Sequence, residues 1–422
     1  MAIAGLYSGW SRTSKARQRG SSGRYPHVGA PGPAIDWLSE ETRWWDQWLK
    51  GIDTGIADEP PLRVYLQDHA APRTHYAHRD GHWITEPAWP SPNVTATEFA
   101  LGSDGRLSRS ETVPGGWLDI ASPLWVGFQA GKWCSYALPG DQPGDQRRED
   151  SGSLCFETGP LADPLHMVGD ARLTLTFTAD RPVAQVAVRL MDVAPDGAAT
   201  RVSYGLLNLT HRDGHEHPEP LVPGQTYTVD VPMKHVAQTF RAGHRIRLGL
   251  STSYFPVAWP APEPVELQVL TGQCTLALPL RNGDHSDAAP FGTPRAAAPL
   301  DQEFETPPTE EWTVTEDTTT GRVTADIRVH EGAAHITDHG LTHSAECTER
   351  YSVLPGDPAS AEGEVTWTHE MRRDDWVVRT VTCTHLSCDR THFHLDARMQ
   401  AFEGDTMIRD KTYTATIPRQ SA

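Results

Sequence analysis

The sequence predicts a mainly β protein: a jelly-roll (galactose-binding-like) sandwich, a smaller C-terminal β domain, and one helical segment before them. Alternation of apolar and polar residues with period two recurs from about residue 60 to residue 417. Helical periodicity is strong in one segment only, and the frequent glycines (35) and prolines (34) divide the chain into short elements. Strands at this spacing without intervening helices are typical of antiparallel sandwiches.

The clearest helix is predicted over residues 34–51, AIDWLSEETRWWDQWLKG. Pro33 suits a first-turn position, Gly51 a C-terminal cap, and Lys50 the negative end of the helix dipole. Apolar residues at three-, four- and seven-residue spacings form one broad face, namely Trp37, Leu38, Trp44, Trp45, Trp48 and Leu49. This face is too apolar to remain exposed, so we expect it to pack on a large partner.

Strand patterns follow the helix in two groups. The first group is LRVYLQ, ATEFAL, ARLTLTFTA, VAQVAVRLMDV, YTVDVPM, HRIRLGLSTS and VELQVL, with turns at Gly197 and Gly224. The second group is EWTVTED, GRVTADIRV, GEVTWTHEM, WVVRTVTCTH, THFHLDARMQAFEG and KTYTATI. An Ala-, Pro- and acid-rich run separates them and has the composition of a linker.

These patterns divide the chain into four segments. We expect an irregular N-terminus with the Trp-rich helix over 1–57, the sandwich over 58–285, a linker over 286–304, and an additional β domain over 305–422. The chain of 422 residues is long enough for each β domain to bury its own core.

Charge and composition exclude several classes of partner. The net charge of −18 disfavours nucleic acid and anionic lipid, and no stretch approaches the roughly 20 apolar residues of a membrane span. No secretory signal is visible, and six scattered cysteines fit free thiols, so a cytoplasmic location is expected. The sequence leaves the oligomeric state open.

No residue is assigned a catalytic, cofactor-binding or metal-binding role. The nucleophile motif G-x-S-x-G, the P-loop, G-x-G-x-x-G and H-E-x-x-H are all absent. Ser251 and Ser253 lie in a strand pattern and are expected to be ordinary sandwich residues. The acidic pairs Asp58-Glu59 and Glu40-Glu41 are expected to be solvated, with a catalytic dyad as the less favoured alternative.

Two histidine-rich patches could in principle hold a metal. The first is the loop His211–His217, for which a solvated turn is favoured. The second combines Cys383, His385 and Cys388 with His392 and His394. If their strands form a hairpin, Cys383 and His385 share one face, as do His392 and His394. The spacing matches no common zinc motif, so a chance cluster is favoured.

Several tryptophans could form a sugar-binding platform, although tryptophans beside proline are more often structural. The candidates are Trp83, Trp89, Trp117 and Trp125.

Five collinear strings resemble one known family. They are YPHVGAPGPAIDWLSEETRWWDQWLKGIDTG, DGHWITEPAWPSP, DQRREDSGSLCFETGPLADPLHMVGDARLTL, VRLMDVAPDGAATRVSYGLLNLTHR and AGHRIRLGLSTSYFPVAWP. Together they resemble the X-Pro dipeptidyl-peptidase C-terminal domain of cocaine-esterase-like (CocE/NonD) hydrolases, over about residues 24–285. The segment to residue 420 resembles a tail found in part of that family.

The resemblance implies a serine-type acyl or peptide hydrolase of three parts: a catalytic α/β-hydrolase domain, a helical cap and a jelly roll. Relatives carry the catalytic histidine in a GPWxH string before the YPH segment. Alignment on Tyr25-Pro26-His27 puts that histidine at Gly23, and GPW at Arg19, Gly20 and Ser21, so the pattern is broken. His27 occupies a different position and receives no catalytic role.

We therefore expect the C-terminal portion of such a hydrolase, N-terminally truncated and inactive alone. The truncation could be natural, a frameshift or a misplaced start, or a separately encoded hydrolase domain could pack on the Trp37/Trp44/Trp45/Trp48 helix. A non-catalytic jelly-roll module that binds a ligand or partner protein is the alternative, and a decayed fragment without function is a third. The sequence does not identify a substrate.

Overall fold

The structure is a computed structural model, and it describes residues 18–19, 35–109, 112–133, 135, 139–283, 291–293 and 300–419. Strands dominate it, which confirms the predicted mainly β class. The described residues contain the helices α1 (Trp37–Leu49) and α2 (Arg147–Ser151) and a 3₁₀ turn at Leu209–His211. None of these helices has both the length and the apolar character needed to cross a membrane.

The strands fall into two groups along the chain. Those before residue 282 are β1 (Gln18–Arg19), β2 (Leu62–Gln67), β3 (Gly81–Glu86), β4 (Val94–Leu101), β5 (Leu107–Ser108), β6 (Gly116–Ile120), β7 (Leu154–Glu157), β8 (Leu165–Gly169), β9 (Arg172–Ala179), β10 (Gln185–Val193), β11 (Ala199–Asn208), β12 (Tyr227–Pro232), β13 (Val236–Phe240), β14 (Arg245–Ser251), β15 (Leu267–Thr271) and β16 (Thr275–Arg281). Those after residue 300 are β17 (Gln302–Thr306), β18 (Thr309–Glu316), β19 (Val323–Ile336), β20 (Leu341–Leu354), β21 (Asp357–Arg373), β22 (Trp376–Cys388), β23 (His392–Glu403) and β24 (Thr406–Pro418).

Helix α1 lies within the predicted segment 34–51, but it spans Trp37–Leu49, and its N-cap, Asp36, was not predicted. The Asp36 side chain accepts a hydrogen bond from the Ser39 amide, as an N-cap does. Gly51 adopts a left-handed φ of +69°, and Lys50 contacts Asp46 one turn earlier at 2.6 Å. Pro33 lies outside the described residues.

Two sheets form a sandwich. The larger has the order β1-β2-β13-β8-β16-β9-β15-β6, with β12 beside β9, β3 beside β2, and β4 beside β16 and β5. The smaller has the order β11-β10-β14-β7. Alternate side chains of β9, such as Leu173 and Phe177, and of β10, such as Val188 and Leu190, are fully buried in one core cluster between the sheets. Each such burial stabilises the fold by about 1.5–3 kcal/mol.

A third sheet follows, and its strands are antiparallel neighbours in the order β17-β19-β20-β21-β22-β23-β24, with β18 also beside β19. It packs on the sandwich through an aromatic junction centred on Phe255, which is fully buried. The Phe255 ring lies 5.4 Å from Trp259 of the sandwich and 6.4 Å from Tyr351 of β20. Trp259 in turn lies 5.9 Å from Phe393 of β23. The third sheet is therefore attached to the sandwich by a shared apolar cluster.

Period-two patterns located most long strands but missed several. Thirteen predicted strand strings fall on observed strands, and LRVYLQ coincides with β2. The sequence did not reveal β20, because its inward residues include the small Ala345 and Cys347 among many polar side chains. It also missed β11, which pairs with β10, and β16, which pairs with β4.

The segments flanking the sandwich are described only in part. The N-terminus was predicted to be irregular, but Gln18–Arg19 pair in parallel with Leu62–Arg63. Most of the predicted linker over 286–304 lies outside the described residues, and β17 begins at Gln302, within its last three positions. The predicted division into four segments stays a prediction.

Candidate functional site

The apolar face of α1 is largely uncovered by the described residues. Trp45 and Trp48 are 54% and 55% exposed. The centroids of the Trp44 and Trp48 rings lie 5.8 Å apart, so these two rings pack against each other. We call the exposed apolar residues here the α1 patch, namely Leu38, Trp45, Trp48, Leu49 and Ile52. The side chain of Trp37 lies outside the described set.

One member of each acidic pair near α1, Glu40 and Glu59, forms an ion pair with an arginine. Arg43 contacts Glu40 at 2.9 Å and Glu59 at 2.5 Å, so one guanidinium joins the helix to the segment that enters the sandwich. Glu41 and Asp58 are exposed. The prediction that both acidic pairs are solvated is therefore wrong for Glu40, which is 6% exposed, and for the ion-paired Glu59.

Ser251, the last residue of β14, and Ser253, which follows the strand, have no base beside them among the described residues. Ser251 and Ser253 are each 1% exposed. The Ser251 hydroxyl lies 2.8 Å from the hydroxyl of Ser153, which accepts a hydrogen bond from the buried Arg189. Among the described residues, no histidine nitrogen lies within hydrogen-bonding distance of Ser251 or Ser253, so neither has the partner that activates a nucleophilic serine.

The buried thiols are poor nucleophiles. Burial raises the pKa of Cys155 to about 12 and the pKa values of Cys274 and Cys347 to about 11. These thiols are protonated near neutral pH, whereas the reactive form of cysteine is the thiolate. The five cysteines in the described part of the chain are free.

The first histidine patch does not converge. His211 and His215 approach each other with 3.0 Å between their Nδ1 atoms, at the exposed end of the 3₁₀ turn. His217 projects into solvent and does not join them. Two exposed imidazoles fit the solvated turn that the sequence favours.

The strands of the second patch do form a hairpin, β22–β23, which meets the condition set for a shared face. Cys383 lies opposite Arg398 and Ser387 opposite His394, so the thiol of Cys383 and the imidazoles of His385, His392 and His394 share one face. Cys388 points to the other face, where its sulfur lies 3.2 Å from Nε1 of Trp259. Within the described residues, no three of these ligands come together.

The candidate tryptophans are dispersed. Trp83 is packed between Tyr65 and Phe291, and Trp125 belongs to the clusters beneath the third sheet. Trp89 packs near Val94, and Trp117 is 44% exposed on β6. They serve different parts of the fold and form no common sugar platform.

The structure brings together one titratable cluster that sequence reasoning missed. Nδ1 of His69 lies 2.8 Å from Oδ2 of Asp192, and Nδ1 of His244 lies 2.8 Å from Oδ1 of the same carboxylate. All three side chains are nearly buried, and Asp192 is 1% exposed. His69 follows β2, Asp192 lies in β10, and His244 precedes β14, so no local sequence motif reveals them.

This His–Asp–His cluster is the one group in the described part of the chain whose ligand atoms lie close enough to suggest a metal site. Its distances, however, are those of hydrogen bonds. Two ligands on a tetrahedral zinc ion with bonds near 2.05 Å lie about 3.3 Å apart. The arrangement therefore has one carboxylate accepting from two imidazoles, each of which carries its proton on Nδ1.

A small pocket lies beside this cluster. Its volume is about 50 Å³, and Arg79, Lys132, Trp133, Arg201 and Lys234 are among its lining residues. Thr200, which lines the pocket, donates to the backbone carbonyl of Ala70, the residue after His69. The loop that carries His69 of the cluster therefore also contacts the lining of the pocket.

Comparison with known proteins places this sandwich in a known context. Residues 54–289 match the family described as the X-Pro dipeptidyl-peptidase C-terminal non-catalytic domain. The cocaine esterase of Rhodococcus sp. (strain MB1 Bresler) is 24% identical over 244 residues, which cover 54% of this chain and 40% of that protein. A putative Xaa-Pro dipeptidyl-peptidase of Bacillus anthracis is 23% identical over 249 residues, covering 58% and 37% of the two chains.

Two solved structures are similar to part of the chain. A CocE/NonD family hydrolase from Staphylococcus aureus is 14% identical with a TM-score of 0.45, covering 58% of this chain and 45% of that one. An α-amino acid ester hydrolase is 24% identical with a TM-score of 0.46, covering 57% and 44%. The chain thus spans about 40% of the length of the curated relatives that it matches.

Proposed function

Because the chain belongs to the family of the X-Pro dipeptidyl-peptidase C-terminal non-catalytic domain, we propose that it is the non-catalytic sandwich portion of a serine-type acyl or peptide hydrolase. In this proposal a hydrolase domain supplies the nucleophile, and the α1 patch is the surface on which that domain packs. The relatives named as esterases and Xaa-Pro dipeptidyl-peptidases motivate the reaction class.

The observation that carries the proposal is the α1 patch. The patch ends at Ile52, two residues before residue 54, where the family match begins. Arg43 fixes the helix to Glu59, so the patch is held at the entrance of the sandwich. A buried aromatic side chain removes roughly 150–250 Å² from water, so two half-exposed tryptophans offer a strong anchor for a partner domain.

The chemistry of the described residues supports the proposal that this chain is the non-catalytic portion of the hydrolase. Ser251 and Ser253 are buried without a histidine partner, and the raised pKa values of Cys155, Cys274 and Cys347 keep these thiols protonated. Acyl transfer needs a nucleophile with a base positioned to take its proton. The proposal therefore assigns that pair to the partner domain.

A capture experiment tests the partner. The tagged chain is immobilised and exposed to a lysate of the organism that encodes it, after labelling of the lysate with a fluorescent fluorophosphonate. We expect a labelled serine hydrolase to be retained, and the double variant Trp45→Gln/Trp48→Gln to retain about tenfold less of it.

The matched control is Trp376→Gln, which removes a tryptophan that is 43% exposed on the third sheet, away from α1. This variant should retain as much labelled hydrolase as the wild type. Failure of the wild type to retain any labelled hydrolase, or equal retention by the α1 double variant, would contradict the proposal.

A further inference from the structure

The pocket beside the His–Asp–His cluster concentrates positive charge on a strongly acidic chain. Among the described residues that line it are four cationic side chains and one carboxylate, that of Asp141. The four are Arg79, Lys132, Arg201 and Lys234. The chain as a whole carries a net charge of −18, so the local excess of positive charge in the pocket is opposite in sign to the charge of the protein.

Arg79 is the buried cation of the pocket. It is 7% exposed, and its Nη2 donates to Oε1 of Gln238 at 3.3 Å and to the carbonyl of Asp68 at 3.5 Å. Within the described part of the chain, no carboxylate oxygen lies within 4.0 Å of this guanidinium, and its Nε has no hydrogen-bond partner. A buried charge without an ionic partner is costly, so this group is prepared for an anion.

The carboxylate of Asp192, whose charge acts on Arg79, is already engaged. The charge of Asp192 acts on Arg79, but both oxygens of that carboxylate accept hydrogen bonds from His69 and His244. Burial outweighs this attraction and lowers the pKa of Arg79 below its ordinary value. The existing protein charges therefore leave Arg79 incompletely compensated.

Aromatic rings hold two further cations of the pocket in place. The guanidinium of Arg201 lies 4.3 Å from the ring centroid of Tyr204, and its Nη1 donates to the hydroxyl of Tyr254 at 2.7 Å. The Lys234 ammonium lies 3.8 Å from the Trp133 ring centroid. Within the described residues, Arg201 has no carboxylate oxygen within 4.0 Å, so its positioned charge is available to an anion. Lys132, by contrast, pairs with Glu349 at 3.1 Å.

The size of the pocket limits the ligand. A buried water needs about 10–15 Å³ of such space, so about 50 Å³ accommodates only a few water-sized groups. This is enough for one carboxylate or phosphate group and too small for a drug-sized molecule. Planar guanidinium groups match the two-oxygen geometry of these anions.

We propose that the pocket lined by Arg79 and Arg201 binds a compact oxyanion, a carboxylate or a phosphate group. This inference goes beyond the accessory role proposed above, because the site lies within the sandwich and needs no hydrolase partner. Arg79 supplies a buried charge, and the half-buried Arg201 supplies a second charge from the solvent side.

Calorimetric titration of the full chain tests the site. Inorganic phosphate and acetate are titrated separately at constant ionic strength, with chloride as the reference salt, because specific binding must exceed general screening. We expect saturable binding of at least one of the two oxyanions. The arm that binds more tightly distinguishes a phosphate site from a carboxylate site.

Arg201→Met should weaken that binding by about tenfold or more, because it removes one charge and one donor fork while keeping an apolar chain against Tyr204. Arg79→Met is the second variant and should have an equal or larger effect. Arg147→Met is the matched control, since Arg147 is an exposed arginine paired with Asp145, and it should bind as the wild type does.

Two outcomes would overturn the inference. One is the absence of saturable binding of both phosphate and acetate at millimolar concentrations. The other is binding by Arg201→Met that equals the wild type. Arg201 is half-buried, so its variant reports on the site even if the Arg79 variant does not fold.

Discussion

Nδ1 of His244 lies 2.8 Å from Oδ1 of Asp192, and this contact joins the start of β14 to its neighbour β10 inside the smaller sheet. The other oxygen of Asp192 holds His69, which begins the loop from β2 to Arg79. One buried carboxylate thus attaches the Arg79 loop to the sandwich. The cluster therefore positions one wall of the cationic pocket.

Asp192→Asn should destabilise the fold by about 1–3 kcal/mol, because an amide can accept a hydrogen bond at only one of its two ends. Its NH₂ group would face an imidazole N–H that has lost its acceptor. Urea denaturation measures the change in the free energy of unfolding. The control is Asp213→Asn, an exposed loop carboxylate, which should stay within about 0.5 kcal/mol of the wild type. Equal stability of the two variants would argue against a structural role for the cluster.

Glu310 should make stability fall as the pH rises. Burial and the neighbouring Asp141 raise its pKa from 4.5 to about 7. The folded state therefore holds this proton more tightly than the unfolded state does, so the contribution to stability is complete below pH 4.5 and is lost as the pH rises through about 7.

Glu310→Gln removes this dependence. Between pH 4.5 and 7, the melting temperature of the wild type should fall relative to that of the variant. Glu311→Gln, on the exposed neighbouring residue, is the control and should follow the wild type. Parallel curves for wild type and Glu310→Gln would show that the carboxyl group titrates normally.

Phe255→Ala should destabilise the junction between the sandwich and the third sheet. The ring is fully buried and contacts Phe128, Trp259 and Tyr351. Its removal leaves a cavity beneath two sheets, which typically costs about 3–5 kcal/mol. Chemical denaturation measures the loss, and Leu300→Ala, at a residue that is 54% exposed, is the control. A Phe255→Ala protein as stable as this control would mean that the third sheet is held elsewhere.

The sequence predicted the parts of the fold that depend on local pattern. The helix from Trp37 to Leu49 has apolar spacing and capping residues that can be recognised in a single segment. Strands such as β9 and β10 alternate or run apolar over many residues, because both belong to a two-layer core. The strand β20 was missed, since a sheet covered on only part of one face places few large apolar residues in its sequence.

The site could not be predicted in the same way. His69 and Asp192 are separated by 123 positions, and their contact depends on how β2 and β10 are placed in different sheets. Arg79 and Arg201 converge on one pocket only through the same long-range packing. Cys388 shows that proximity in a hairpin is not enough to form a site. Its strand pairs with β23, but its sulfur lies on the face away from His392 and His394.

The most direct test of the account is the reaction of the purified chain with a fluorescent fluorophosphonate, with a known serine hydrolase as the positive control. We expect no labelling above that of heat-denatured chain, because Ser251 and Ser253 are buried and have no base beside them among the described residues. Stoichiometric labelling of the native chain at a serine, located by mass spectrometry of the labelled peptide, would contradict the account.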